Sequence, residues 1–225
     1  MNLTGFSEHL LRILPPFLLS FVFTIAGSLW IDKLYRQEKD DSLFSFPDRI
    51  TKRAKFRKPL LFFLLLFCIG KAWYAVPIPT VLLYYTAAIA FLSFITITDF
   101  EQYVIFDSML LPLAALGLCY TIHQQLSLTE HLTAGLGGGL LFLLLTILTK
   151  GAIGGGDIKL IAALGIWLGI RPLISVIVYG FLVGGAAALF LLITKQKKRQ
   201  DYFAYGPYFA LSGIAVLLSW IRPLF

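Results

Sequence analysis

Apolar residues in this chain run in long unbroken blocks, and that pattern leaves few folds open. The stretch "PLLFFLLLFCIGKAWYAVPIPTVLLYYTAAIAFLSFITIT", Pro59 to Thr98, contains one charged side chain, Lys71. A helix packed on a soluble core would alternate an apolar stripe with a polar face. Crossing a hydrocarbon core instead takes roughly 20 consecutive apolar residues. The 225 residues are 58% hydrophobic and 14% charged, against about 25% charged for a soluble domain. The fold class follows as all-α, a polytopic membrane protein with about eight transmembrane helices. The spans fall near Leu10–Ile31, Pro59–Val76, Ile78–Thr98, Phe106–Ile122, Leu132–Thr149, Ile158–Ile170, Pro172–Thr194 and Pro207–Leu224. The two prolines of "AVPIP" break the second span from the third. No small-residue cleavage site follows the first block, so it is read as an uncleaved span.

Charge sets the expected direction. Nine of the 19 basic residues lie between Asp32 and Lys58, and four more are Lys195, Lys197, Lys198 and Arg199. Lys150 and Lys159 flank a glycine run, while Arg12, Lys71, Arg171 and Arg222 fall at the opposite ends of the spans. Basic residues gather in cytoplasmic loops. Both termini are therefore expected outside, with the connector "DFEQYVIFD" and the glycine run "GAIGGGDIKL" facing the cytoplasm. This bias also accounts for the net charge of +7, so the lipid bilayer and not nucleic acid is the expected partner. The location expected is a bacterial cytoplasmic membrane. Oligomeric state is not legible.

The two cysteines, Cys68 and Cys119, sit in apolar blocks, and His9, His123 and His131 are scattered. No metal site is expected from such spacing. The carboxylates are more telling. Of the twelve, Asp32, Glu38, Asp40, Asp41 and Asp48 mix with the basic residues of the first connector, as in a solvated loop. Glu8 and Glu130 fall outside, and Asp201 adjoins a basic cluster. Asp99, Glu101, Asp107 and Asp157 are left, all at the cytoplasmic boundary.

Two carboxyl groups brought together from different helices share a proton, because like charges a few ångströms apart do not both ionise readily. The ionised member takes a proton from water and the protonated member donates to a carbonyl. Gly154, Gly155 and Gly156, just before Asp157, permit close backbone approach. Each acid alone also has a plain reading. Asp99 is a solvated helix end. Asp157 is a first-turn acid favoured by the helix dipole. Glu101 is an exposed loop residue, Asp107 a first-turn residue, and Lys159 a side chain snorkelling to the interface. "AGLGGGLL" (Ala134–Leu141) and "GGAAA" (Gly184–Ala188) are read as helix-packing surfaces.

"TDFEQYVIFD" resembles a segment of the type IV prepilin peptidases, in which an aspartate precedes a loop ending Ile-Pro-Asp. "GGGDIKLIAALGIWLG" resembles their glycine–aspartate motif and its helix. "YGPYFALSG" is similar to their Phe-Gly-Pro-Phe segment, and "IAGSLWIDKLYR" to their Gly-Ser-Phe start. The resemblance implies a membrane aspartic protease of the Gly-x-Gly-Asp class, which cleaves the leader of prepilins or pseudopilins at the cytoplasmic face. It makes Asp99 and Asp157 the catalytic pair. Glu101, Asp107, Gly154, Gly155, Gly156 and Lys159 become supporting residues. Phe106 stands where the family has proline. The family's two Cys-x-x-Cys zinc pairs, in a first loop associated with N-methylation, have no counterpart between Asp32 and Lys58. Residues 1–58 are thus expected to be a cysteine-free counterpart of that region and residues 59–225 the peptidase domain. Neither zinc nor S-adenosylmethionine is expected as a cofactor. Two other classes stay open: a proton-coupled transporter, because intramembrane carboxylates also build proton relays, and a non-catalytic membrane scaffold.

Overall fold

A computed structural model of the chain describes residues 3–39, 54–151, 153–196 and 203–220. Asp40, Asp41, Asp48, most of the basic run Lys195–Arg199, Asp201 and the end of the eighth span lie outside those residues. The described residues form eight helices and no strand: α1 (Leu3–Lys39), α2 (Arg57–Ala75), α3 (Pro79–Gln102), α4 (Asp107–His123), α5 (Leu128–Leu148), α6 (Gly155–Leu168), α7 (Ile170–Ile193) and α8 (Gly206–Ser219). Successive helices run antiparallel. The C-termini of the odd-numbered helices and the N-termini of the even-numbered ones therefore share one end of the bundle.

Local chemistry explains the breaks. Pro79 is the first residue of α3 behind an extended Ile78, a position where the missing N–H costs nothing. Ser127 caps α5 by accepting a hydrogen bond from the Glu130 N–H. Gly169 alone turns α6 into α7 at φ +74°, a conformation that favours glycine.

Five helices, α1, α2, α3, α5 and α7, are long and apolar enough to cross a bilayer by themselves. With 17 residues in α4 and 14 each in α6 and α8, the other three are shorter. Fourteen residues rise only about 21 Å. Two expected boundaries are corrected. The first helix runs on to Lys39, so Asp32, Lys33 and Arg36 are helical and the connector starts later than Asp32. Gly155 and Gly156, expected in irregular backbone before Ile158, already belong to α6, with Gly154 as its cap.

α3 is the central helix. Ala88, Ile89, Leu92 and Ile95 are fully buried along it, and it packs against α2, α4 and α8. α7 faces outward, with Leu182, Phe190 and Ile193 exposed, as suits a lipid-facing surface. The closest crossing joins α5 to α6. A Cβ placed on Gly165 would lie 2.6 Å from backbone atoms of Ala134 and Gly135. The small residues of Ala134–Leu141 thus let two backbones touch, as in other small-residue helix interfaces.

Gly165→Ala is expected to destabilise the protein by about 1–3 kcal/mol through overpacking against backbone that has no side chain to yield. Gly137→Ala, where nothing lies within 4 Å of the new methyl, is expected to be neutral or stabilising by up to about 1 kcal/mol. Thermal unfolding of both variants in detergent checks the contrast.

Candidate active site

Asp99 stands one turn before the end of α3, and Asp157 in the first turn of α6. Their side chains are buried, at 5% and 8% exposure, which sets aside the reading of Asp99 as a solvated helix end. The two meet beside Gly206, the first residue of α8. A Cβ on Gly206 would sit 3.0 Å from Asp157 Oδ1 and closer still to Asp99 Oδ2. Each oxygen is therefore within 3.0 Å of one point. The Gly206 backbone N–H interacts with the Asp99 carboxylate. Among the described residues, no Lys, Arg or His forms an ion pair with either acid.

The pair opens on a cavity of about 360 Å³, walled by Tyr103, Val104 and Ile105 after α3, by Gly154–Gly156, and by Phe203–Tyr205 before α8. Of the three glycines, Gly156 is the one whose place is dictated by contact: a Cβ there would lie 2.9 Å from that of Ile105. Gly155 has open space around it. The segment before α8 is held by aromatic packing, Phe203 stacking on Tyr208 at 5.5 Å and Tyr205 lying edge-on to Phe181 at 6.1 Å.

The supporting residues distribute differently from expectation. Glu101, expected as an exposed loop residue, is buried on α3 at 5% exposure. Arg57 grips it, Nε donating at 2.8 Å and Nη2 at 2.7 Å, and Tyr35 Oη donates at 3.0 Å. Arg57 also pairs with Asp32 of α1. Arg57, Tyr35 and Asp32 were not singled out from sequence; they looked like members of a solvated loop. Their signal was weak: a tyrosine at the end of one apolar block and an arginine at the start of the next. Lys159 does not snorkel alone. Its Nζ donates to both oxygens of Asp107 at 2.7 Å, an exposed pair joining α6 to α4. Neither lines the cavity. Phe106 caps α4 at φ −78°, within the range of the proline it replaces by resemblance. Gly206, within "YGPYFALSG", joins the site through the tertiary fold, with no local sequence signal that marks it as a site residue.

Among the described residues, no group of three His, Cys, Asp or Glu is arranged to hold a metal ion. Cys68 is buried in α2 and Cys119 exposed on α4, so the cysteines do not supply a thiolate pair.

Residues 86–189 match the sequence profile of the type IV leader peptidase family. The matched stretch contains both Asp99 and Asp157. It is 37% identical over 130 residues to the prepilin leader peptidase/N-methyltransferase of Neisseria gonorrhoeae, covering 55% of this chain and 44% of the relative. With the enzyme of the same name from Aeromonas hydrophila, identity is 32% over 130 residues, 55% of this chain and 45% of the relative. For that of Burkholderia pseudomallei strain 1026b it is 33% over 117 residues, 49% and 38%. The chain spans less than half the length of these curated relatives. No solved structure matches it.

Arg57→Met is expected to cost about 3–5 kcal/mol, because Glu101 would stay buried without its cation. Pairing it with Glu101→Leu is expected to restore most of that loss, since two apolar groups leave no orphan charge. Chemical unfolding of the single and double variants in micelles checks both.

Proposed function

We propose that this protein is a member of the type IV leader peptidase family, a prepilin leader peptidase that hydrolyses one peptide bond with water activated by Asp99 and Asp157. The observation that carries the proposal is the convergence of two buried carboxyl groups beside Gly206, on a cavity deep enough to admit a peptide backbone. The names of the relatives supply the substrate class: the leader of a prepilin or pseudopilin.

The chemistry needs one proton between the two acids. The ionised carboxylate takes a proton from water as its oxygen attacks the scissile carbonyl carbon. The protonated carboxyl donates to the carbonyl oxygen. Collapse of the tetrahedral adduct breaks the C–N bond, and the departing amine nitrogen takes the proton held by the first carboxylate. The pair titrates as a unit, so the rate is expected to follow a bell-shaped pH profile.

A second cavity of about 500 Å³ shares Tyr103, Phe203 and Ala204 with the first. Leu60, Ile97, Leu191 and Tyr208 give it apolar walls, and the Arg57–Glu101 pair borders it. This is the proposed seat of the substrate's apolar segment. The peptide then passes from a lipid-like cleft to the acids within a few residues, its polar leader remaining in water. Glu101 is buried and already held by Arg57 and Tyr35, so it is not placed to bind basic leader residues. The basic-residue bias supports an orientation with this end in the cytoplasm of a bacterial cell and the termini outside.

Residues 59–225 are assigned as the peptidase domain and 1–58 as the counterpart of the methylation-associated region. Hydrolysis by the two acids needs neither zinc nor S-adenosylmethionine. Methyl transfer, the second activity in the relatives' names, has no such support.

Asp99→Asn and Asp157→Asn are each expected to abolish cleavage of a co-reconstituted prepilin while leaving insertion intact. A wild-type rate in either variant sinks the two-acid mechanism. Gly206→Ala is expected to lower the rate about a hundredfold, since its methyl would push the carboxyl groups from their positions. Single-turnover cleavage followed by mass spectrometry measures all three.

A further inference from the structure

The end of the bundle opposite the aspartates holds a cavity of about 300 Å³ that the proposed peptidase does not use. On α3, Tyr85 of this cavity and Asp99 are separated by about 21 Å of helix, 14 residues at 1.5 Å each. The cavity carries two charges of opposite sign, Glu130 at the start of α5 and Arg171 at the start of α7. Among the described residues, neither joins an ion pair.

Beside Glu130 lies His131, buried at 7% exposure. Its Nδ1 is 2.9 Å from the carbonyl oxygen of Ile166. Thr121 Oγ1 also lies 3.2 Å from Nδ1; a carbonyl only accepts, so in the tautomer that satisfies Ile166 Nδ1 carries the hydrogen and Nε2 is an acceptor. Glu130 Oε1 and His131 Nε2 lie 3.3 and 3.4 Å from the point a Cβ on Gly169 would occupy. The two acceptors thus converge beside the glycine corner at the edge of the cavity, and no described side chain is hydrogen-bonded to both. The chemistry lacking there is a cation with several N–H donors. Arg171 offers the complementary fork for a phosphate. Tyr120, Trp167 and Trp220 add aromatic surface, and Leu126 and Leu217 extend the wall apolarly.

We propose that this cavity binds the headgroup of an ethanolamine phospholipid, with the primary ammonium at Glu130 and His131 and the phosphodiester at Arg171. The commitment to a lipid, not a soluble zwitterion, follows from the apolar wall and from the cavity's place at helix ends, where the bilayer surface lies. A quaternary ammonium has no N–H for the two acceptors. An anionic glycerol headgroup meets Glu130 with the wrong character.

The test uses the purified full chain in micelles containing equal amounts of phosphatidylethanolamine, phosphatidylcholine and phosphatidylglycerol, with retained lipid identified by native mass spectrometry. The ethanolamine lipid is expected to be retained about tenfold over each of the others, the size of one charge-assisted hydrogen-bond set. Glu130→Gln and Arg171→Gln should each erase that preference; both side chains are exposed, so the fold is expected to survive, and the wild-type comparison needs no variant. Equal retention of the three lipids overturns the proposal. So does a preference untouched by either substitution, or soluble phosphoethanolamine competing as well as the diacyl lipid. Prepilin cleavage is assayed separately, so loss of the lipid site and failure of the peptidase assignment give different results.

Discussion

Two carboxyl groups in this protein occupy the surroundings of a point that one methyl group on Gly206 would fill. Much of the bundle's layout follows from making that approach possible. Asp99 and Asp157 come from helices that run in opposite directions, so the end of α3 and the start of α6 must lie at one level. α8 must then begin between them with a residue that has no side chain. The Gly156–Ile105 contact closes the same end from another side. Short helices suit this need. With 14 residues each, α6 and α8 are shorter than a full span, and a cavity of about 360 Å³ lies where they begin.

Electrostatics divides the acids of this end into two kinds. Glu101 is only two residues from Asp99, yet it is gripped by Arg57 and Tyr35, and Arg57 also reaches Asp32. A buried carboxylate with such partners fixes geometry: the node ties α1 and α2 to the end of α3. The pair at Gly206 has no cation among the described residues. Burial without a counter-ion disfavours a double negative charge, which is the condition a proton-sharing pair needs. The same short stretch of α3 therefore carries one acid that holds structure and one that, in the proposed reaction, exchanges a proton.

How far the sequence was legible depends on the range of the signal. Unbroken apolar blocks and the prolines of "AVPIP" are local, and they marked the helices and the break before α3. The small residues of Ala134–Leu141 also announced a close crossing correctly. Boundaries were harder where polar residues sit on helical backbone. Asp32 and Arg36 looked like loop because they are charged, but α1 carries them past the apolar block. Glu101 looked exposed for the same reason. Its burial depends on Arg57, 44 positions away, and no local pattern encodes that partnership. Gly206 was hidden differently: a glycine before a proline reads as a helix start, and only the tertiary fold reveals which oxygens face it.

The node and the pair also explain why two cavities lie side by side at one end of the bundle. Arg57 and Glu101 border the larger, apolar cleft, while Asp99 and Asp157 lie in the smaller one, with Tyr103, Phe203 and Ala204 common to both. In the proposed reaction, an apolar segment bound in the first cleft meets a polar border whose side chains already hold one another. A peptide carbonyl entering the second would meet acids with no cationic partner among the described residues. The proposed seat of the apolar segment and the two acids are thereby separated by only the width of three shared residues. In the proposed reaction, that spacing lets the bilayer-like part of a substrate determine which bond reaches the water.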